Sequence, residues 1–303
     1  MTETIYALSS GAGKGGVAVI RLSGSQALKI LTSLTGIENP KPRYAYFSPL
    51  KNKESVVIDH SLVLYFKGPN SFTGEDVVEF QVHGGRSVIE SVFNALSQFE
   101  NTRPAEAGEF SRRAVVHGKM DLTSAEGLMD LIDAQTEWQR RQALTQMEGK
   151  LGSLYEGWRQ LLVKDMAYLE AFIDFPEEDI PPEKMQLIDQ GVSNLIFQIE
   201  THLKDNKKGQ RLRNGFQIAI IGEPNVGKSS LINLLSEKDV AIVSDIAGTT
   251  RDVVESYLDI EGFPVVLADT AGLRENAEEQ RCPLPRSPRR EPLSPEEAYY
   301  IFE

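Results

Sequence analysis

The residues best suited to chemistry lie in Gly222-Glu223-Pro224-Asn225-Val226-Gly227-Lys228-Ser229. The spacing is G-x-x-x-x-G-K-S, entered from an apolar run at 216–221 and followed by 230–235, which reads as a helix. Glycines let the backbone curl until successive N–H groups and the helix N-terminus face phosphate oxygens. Lys228 then reaches the β- and γ-phosphates, and the Ser229 hydroxyl can ligate Mg²⁺. A second apolar run, 265–268, ends in Asp269-Thr270-Ala271-Gly272. An aspartate at a strand's carboxyl end can hold Mg²⁺ through water, and a glycine three residues later leaves its N–H open to the γ-phosphate. Between them lies the polar loop Ala247-Gly248-Thr249-Thr250-Arg251-Asp252, where a threonine can complete the Mg²⁺ shell. The last two signals are common singly. All three in this order favour GTP over ATP.

The rest of the 303-residue chain must position these groups. Its 41% hydrophobic and 25% charged residues are ordinary for a protein with real cores. The net charge of −12 argues against a free-standing, salt-driven nucleic-acid binder. The acidity is uneven: residues 1–119 carry 13 Lys/Arg against 11 Asp/Glu, 120–214 carry 11 against 17, and 215–303 carry 8 against 16. The first part can therefore hold an anion without opposing its own field. One cysteine, Cys282, excludes an intrachain disulfide and fits a reducing, cytoplasmic setting. The polar start and the lack of a long apolar run argue against secretion and membrane spanning.

Residues 1–119 read as mixed α and β. Expected elements are a buried strand at 17–22 entered through Gly15-Gly16, and a helix over 25–34 capped by Ser23 or Ser25 and stopped by Gly36. Strands at 56–66 and 76–82 follow, then a His83-Gly84-Gly85 turn and a helix through Phe99. From 124 to 175 the periodicity predicts two long helices broken near 149–152. Prolines 176, 181 and 182 force a turn, a helix runs from about 183 to 204, and the basic stretch 207–214 reads as a linker.

The chain resembles the MnmE (TrmE) family of tRNA-modifying GTPases over roughly residues 1–280. Besides the nucleotide motifs, the likeness rests on Gly15-Gly16-Val17-Ala18-Val19-Ile20-Arg21-Leu22-Ser23-Gly24, Phe72-Thr73-Gly74-Glu75-Asp76-Val77-Val78-Glu79, and His83-Gly84-Gly85. It rests also on Arg103-Pro104-Ala105 through Lys119-Met120-Asp121-Leu122, and on Val243-Ser244-Asp245-Ile246-Ala247-Gly248-Thr249-Thr250. The resemblance implies a multidomain protein: an α+β folate-binding domain at 1–119, an all-α domain beginning at 120–214, and part of an α/β P-loop (Ras-like) G domain at 215–281. It implies a potassium-stimulated GTPase that works with an MnmG-type flavoprotein, itself dependent on FAD and NADH. The two install an aminomethyl or carboxymethylaminomethyl group on the wobble uridine of tRNA. A tetrahydrofolate derivative, 5-formyl or 5,10-methylene, supplies the one-carbon unit. The implied assembly is a homodimer within a heterotetramer, with tRNA engaged through the complex.

Carried over residue by residue, Arg21, Glu79 and Lys119 match folate contacts. Asn225, Ser244, Ile246 and Thr249 match the K⁺ site, with Ser244 standing where threonine is common. Ser229 and Thr250 match the Mg²⁺ ligands, and Lys228, Asn225 and Thr250 the catalytic positions. Val226, Gly227, Ser230, Asp245, Ala247, Gly248, Asp269, Thr270, Ala271 and Gly272 complete the GTP-contacting set.

Taken without the family, Arg21 is a surface cation, Glu79 a solvent-facing strand residue and Lys119 unremarked. His83 reads as a structural donor, and Trp138 and Trp158 as core or interface residues. The run 11–16 mimics a phosphate loop but lacks its Ser/Thr and spacing, and Glu177-Glu178-Asp179 reads as a solvated acidic turn. After Glu275 the likeness fails. Arg281 stands near the place of the family's water-orienting glutamate, and 282–303 holds five of the chain's 15 prolines with no strand or helix pattern. That tail is expected to be foreign to the family and disordered, the guanine-reading N-K-x-D is missing, and hydrolysis is expected to be deficient. The rival readings are a non-hydrolysing folate-binding dimerisation module and a ribosome-assembly type of GTPase. Arg21, Glu79 and Lys119 argue against the latter.

Overall fold

The computed structural model describes residues 3–11, 13–174, 182–220, 230–231, 234, 255–269 and 299–300. They form two compact units, Met1–Ala125 and Glu126–Glu303.

The first unit is built on β1 (Thr4–Leu8), β2 (Gly15–Ser23), β3 (Tyr46–Lys51), β4 (Val57–Phe66), β5 (Val77–Gly84) and β6 (Thr102–Pro104). Its helices are α1 (Ala27–Thr35), α2 (Arg86–Ser97) and α3 (Glu109–Val116). The sheet runs β3-β4-β5-β2-β1-β6, antiparallel except between β1 and β6. Strand side chains alternate between faces. Ala18, Ile20 and Leu22 of β2 and Val78, Phe80 and Val82 of β5 therefore point one way, into a core closed by Ile30, Leu31 and Leu34 of α1 and Val92 and Leu96 of α2. β2 is thus not a wholly buried strand: its odd positions lie on the opposite face, and Gly15-Gly16 are part of it.

Gly36 closes α1 in the left-handed conformation, as its type suggests. Neither serine caps the helix. Ser23 lies inside β2 with its hydroxyl engaged elsewhere, and the N–H of Gln26, the N-cap, donates to Thr4 Oγ1 at 2.9 Å.

The second unit begins within α4 (Leu122–Asp133) and continues through α5 (Glu137–Met147), α6 (Lys150–Asp174) and α7 (Pro182–Asn214). Three helices, not two, occupy 122–174. The break at Gly149 matches the glycine signal, but the earlier one is made by Thr136. Its hydroxyl accepts from the Gln139 N–H at 3.4 Å while Gln139 Oε1 accepts from the Thr136 N–H at 3.1 Å. This reciprocal cap is readable as T-x-x-Q.

The stretch 207–214 is helix, not linker. Lys, Arg and Gln are strong helix formers, Arg213 pairs with Asp130 at 2.8 Å, and Gln142 donates to the Gly209 carbonyl. The proline turn at 175–181 lies outside the described residues.

A four-stranded sheet completes this unit, with β7 (Phe216–Ile220), β8 (Glu255–Ile260), β9 (Phe263–Asp269) and β10 (Tyr299–Tyr300) in the order β10-β7-β9-β8. β7 and β9 are parallel, with Leu258, Val265 and Leu267 packed against Phe216 and Ile218. β10 adds two residues alongside β7, a pairing that the proline-rich tail did not advertise. Trp138 stacks on Phe263 with centroids 5.3 Å apart.

Gly127 sits where α4 meets the end of α5. A Cβ there would come within 2.6 Å of the Met147 nitrogen and 3.0 Å of the Gln146 carbonyl carbon, backbone atoms that cannot yield singly. Gly127→Ala is expected to destabilise this unit by about 1–3 kcal/mol, measured as a lower urea midpoint. An unchanged midpoint would show that α4 can slide off α5.

Candidate functional site

The alternation that buries Ile20 and Leu22 puts Arg21 on the open face of the first sheet. Arg21 and Glu79 are direct cross-strand partners on β2 and β5, and the guanidinium donates from Nε to Glu79 Oε1 at 2.8 Å. Both side chains are partly open, 27% and 16% exposed. The guanidinium also lies 5.3 Å from the Phe72 ring centroid and 5.9 Å from that of Phe110, within cation–π range. A fixed cation, a carboxylate and two aromatic rings share one patch. Neither phenylalanine is singled out by sequence spacing, although Phe72 falls in the 72–79 motif.

Lys119 reaches the same surroundings by another route. Its ammonium donates to the Pro69 carbonyl at 2.8 Å, on the β4–β5 connection that also carries Phe72. His117 Nδ1 donates to the Thr73 carbonyl at 2.7 Å. Gly74, at φ 81°, lets the connection approach so closely that a Cβ would meet that of His117 at 3.0 Å.

Beside the patch, on the connection that carries Phe72, runs an ionic network that no local sequence pattern marks. Arg113 Nη1 donates to Glu75 Oε2 at 2.9 Å and Nη2 to Glu109 Oε1 at 3.0 Å. Glu109, 3% exposed, takes a two-pronged bond from Arg103 at 2.8 Å on each oxygen. It also accepts from the Glu106 N–H. The Arg103 bonds, and then the Glu106 N–H and Arg113, outweigh its burial and hold its carboxyl down at about 2. Glu75 Oε2 accepts from the Ser23 hydroxyl, itself 2.6 Å from Thr73 Oγ1. The network thus joins α3 to the β4–β5 connection and to β2.

At the far end of the sheet, Asp59 takes bonds from the His83 backbone and ring and the His60 N–H. Burial pushes its carboxyl up, but these bonds more than offset that and leave it below its ordinary value.

In the second unit, Ile220 and Asp269 stand level on the parallel strands β7 and β9. Sheets of this kind receive ligands at the carboxyl ends of such strands, and the phosphate-loop sequence leaves β7 at that end. Ser230 lies in helix. The phosphate-loop residues Asn225, Val226, Gly227, Lys228 and Ser229 lie outside the described residues. So do Ser244, Asp245, Ile246, Ala247, Gly248, Thr249 and Thr250 of the polar loop, Thr270, Ala271 and Gly272, and the acidic turn 177–179. Among the described residues no group of His, Cys, Asp and Glu is arranged to hold a metal ion, and no helix is long and apolar enough to cross a membrane.

Residues 4–119 match the family model for the GTP-binding protein TrmE N-terminus, and residues 122–286 match that for the MnmE helical domain. The chain belongs to the MnmE family. The tRNA modification GTPase MnmE of Parvibaculum lavamentivorans is 53% identical over 276 residues, covering 91% of this chain and 63% of the relative. That of Maricaulis maris is 54% identical with the same coverage, and that of Rickettsia bellii 52% identical over 273 residues, 90% of this chain and 61% of the relative. The chain therefore spans a little over three-fifths of the length of these MnmE relatives.

Proposed function

We propose that this chain supplies the folate-binding and nucleotide-binding parts of a GTPase that modifies the wobble uridine of tRNA. In this reading it works with an MnmG-type flavoprotein, as a homodimer in a cytoplasmic complex. The proposed division is a folate domain at 1–119, a helical domain from 120 and a G domain from 215. The observation that carries the reading is the Arg21–Glu79 pair flanked by Phe72 and Phe110. The names of the relatives, tRNA modification GTPases, add to it.

The patch suits a reduced folate. A pterin presents a flat ring with N–H donors, matching two aromatic rings and an accepting carboxylate, while the folate's glutamate carboxylates suit cations such as Arg21 and Lys119. When bound, the folate supplies a one-carbon unit. The protein's part is to hold and orient it: Glu79 accepts from the ring's N–H groups, Arg21 fixes Glu79, and Phe72 and Phe110 shield the ring from water.

For the nucleotide, Lys228 and the 222–229 backbone are proposed to hold the phosphates. Ser229 and Thr250 are proposed for Mg²⁺, and Asn225, Ser244, Ile246 and Thr249 for K⁺.

Calorimetric titration with 5-formyltetrahydrofolate, and separately with a non-hydrolysable GTP analogue, tests both halves. Saturable binding of each at 1:1 per chain is expected. Folate binding alone would reduce the chain to a binding module, and no folate binding would remove the site.

A further inference from the structure

Three of the elements that build the Arg21–Glu79 patch carry a second residue close to the one they contribute. β2 supplies Arg21 and, two positions on and so on the same face, Ser23. α3 supplies Phe110 and, about one helical turn on, Arg113. The 67–76 connection supplies Phe72 and, three positions on, Glu75. These second residues meet at one atom. Glu75 Oε2 accepts from the Ser23 hydroxyl at 2.7 Å and from Arg113 Nη1 at 2.9 Å. The Glu75 and Arg113 side chains are 13% and 11% exposed there, so salt and water screen the ion pair little.

The connection needs such tethers, because its ten residues include neither helix nor strand. At its base the Gly68 N–H donates to Asp76 Oδ1 at 2.9 Å. Further out, the Ser71 hydroxyl donates to the Glu75 carbonyl, and Thr73 Oγ1 accepts from the Glu75 N–H at 3.3 Å. Ser71 and Thr73 are buried, and the half-buried Phe72 between them stands beside Arg21. Where that ring stands is therefore set by where the connection is anchored. Arg113 is also drawn to Glu109, at 3.0 Å. With Glu75 neutral, the guanidinium would stay with Glu109 and the connection would lose its charged hold on α3.

We infer that Glu75 is a positioning residue for the folate. By holding Ser23 and Arg113 at once, it sets how Phe72 stands relative to Arg21 and Phe110. It thereby shapes the space that the pterin enters. The role rests on the folate reading above, and Glu75 plays it through Phe72 rather than by touching the ligand. A carboxylate suits the task because charge-assisted bonds are shorter than neutral ones and about twice as strong.

The test is a double-mutant cycle on the full chain, with 5-formyltetrahydrofolate affinity read by calorimetry and the urea midpoint measured alongside. Glu75→Gln keeps the shape, removes the charge and is expected to weaken binding about tenfold. In a Phe72→Ala background the ring that Glu75 places is gone. Adding Glu75→Gln there is expected to cost less than about twofold further in affinity, while the losses of stability add. A residue that merely held the fold together would give the same factor in both backgrounds. Ser23→Ala removes the other bond to Oε2 with a smaller change to the fold. It is expected to weaken binding severalfold, again only while Phe72 is present. Undiminished affinity in either folded variant, or the same loss with and without Phe72, would overturn the inference and leave the folate site standing. A wild-type chain that binds no folate would remove the site itself, and the inference with it.

Discussion

Glu109→Gln is expected to lower the stability of the 1–125 unit by about 3–5 kcal/mol, the range for removing one partner from a buried ion pair. Glu109 is 3% exposed, hydrogen-bonds the guanidiniums of Arg103 and Arg113, and has that of Arg112 3.8 Å away. Glutamine keeps the shape but cannot neutralise Arg103 and Arg113, so two cations share Glu3 and Glu75. The pH dependence carries its own signature. The carboxyl lies at about 2 in the folded chain against an ordinary 4.5. Its contribution is therefore complete above pH 4.5 and disappears as the pH falls from 4.5 towards 2. Hydrogen exchange at the β1, β2 and β5 amides should show this acid-dependent loss in the wild type and a flatter profile in the variant. Equal slopes over that window would mean that Glu109 is not the group responsible.

Arg21→Ala is expected to weaken 5-formyltetrahydrofolate binding by about a hundredfold. A charge-assisted hydrogen bond contributes about 1.5–3 kcal/mol, and Glu79 would lose the cation that orients it. Stability should change little, because Arg21 is on the open face and no core residue depends on it. Isothermal titration of the two proteins decides the matter. Undiminished affinity in the variant would remove Arg21 from the site, whereas a matching loss of folding would make the pair structural.

How far these sites can be read in the sequence depends on the distance over which the partners act. The strands flanking the phosphate loop are local apolar runs, and β7 and β9 follow them to within a few residues. Gly36 and Gly149 stop helices for reasons contained in one residue. The stretch 207–214 misleads because charge resembles a linker, although its residues favour helix and Asp130 anchors it from over eighty positions away. Family likeness points to Arg21 and Glu79, but their bond depends on strand register 58 residues apart. Nothing local marks Glu109 or Arg113. Arg113 meets Glu75 across 38 residues, and Arg103 meets Glu3 across 100. No spacing rule reaches that far.

The stacking of Trp138 on Phe263 has an optical consequence. The chain has two tryptophans, Trp138 and Trp158, and both lie in the 126–303 unit. Emission excited at the red edge of the absorption band therefore comes wholly from that unit, with Trp138 sensing the β8–β9 turn and Trp158 the helical hairpin. Melting of the first unit is silent in that channel and must be followed through tyrosine emission or ellipticity. A single melt recorded both ways resolves which unit unfolds first, without a label.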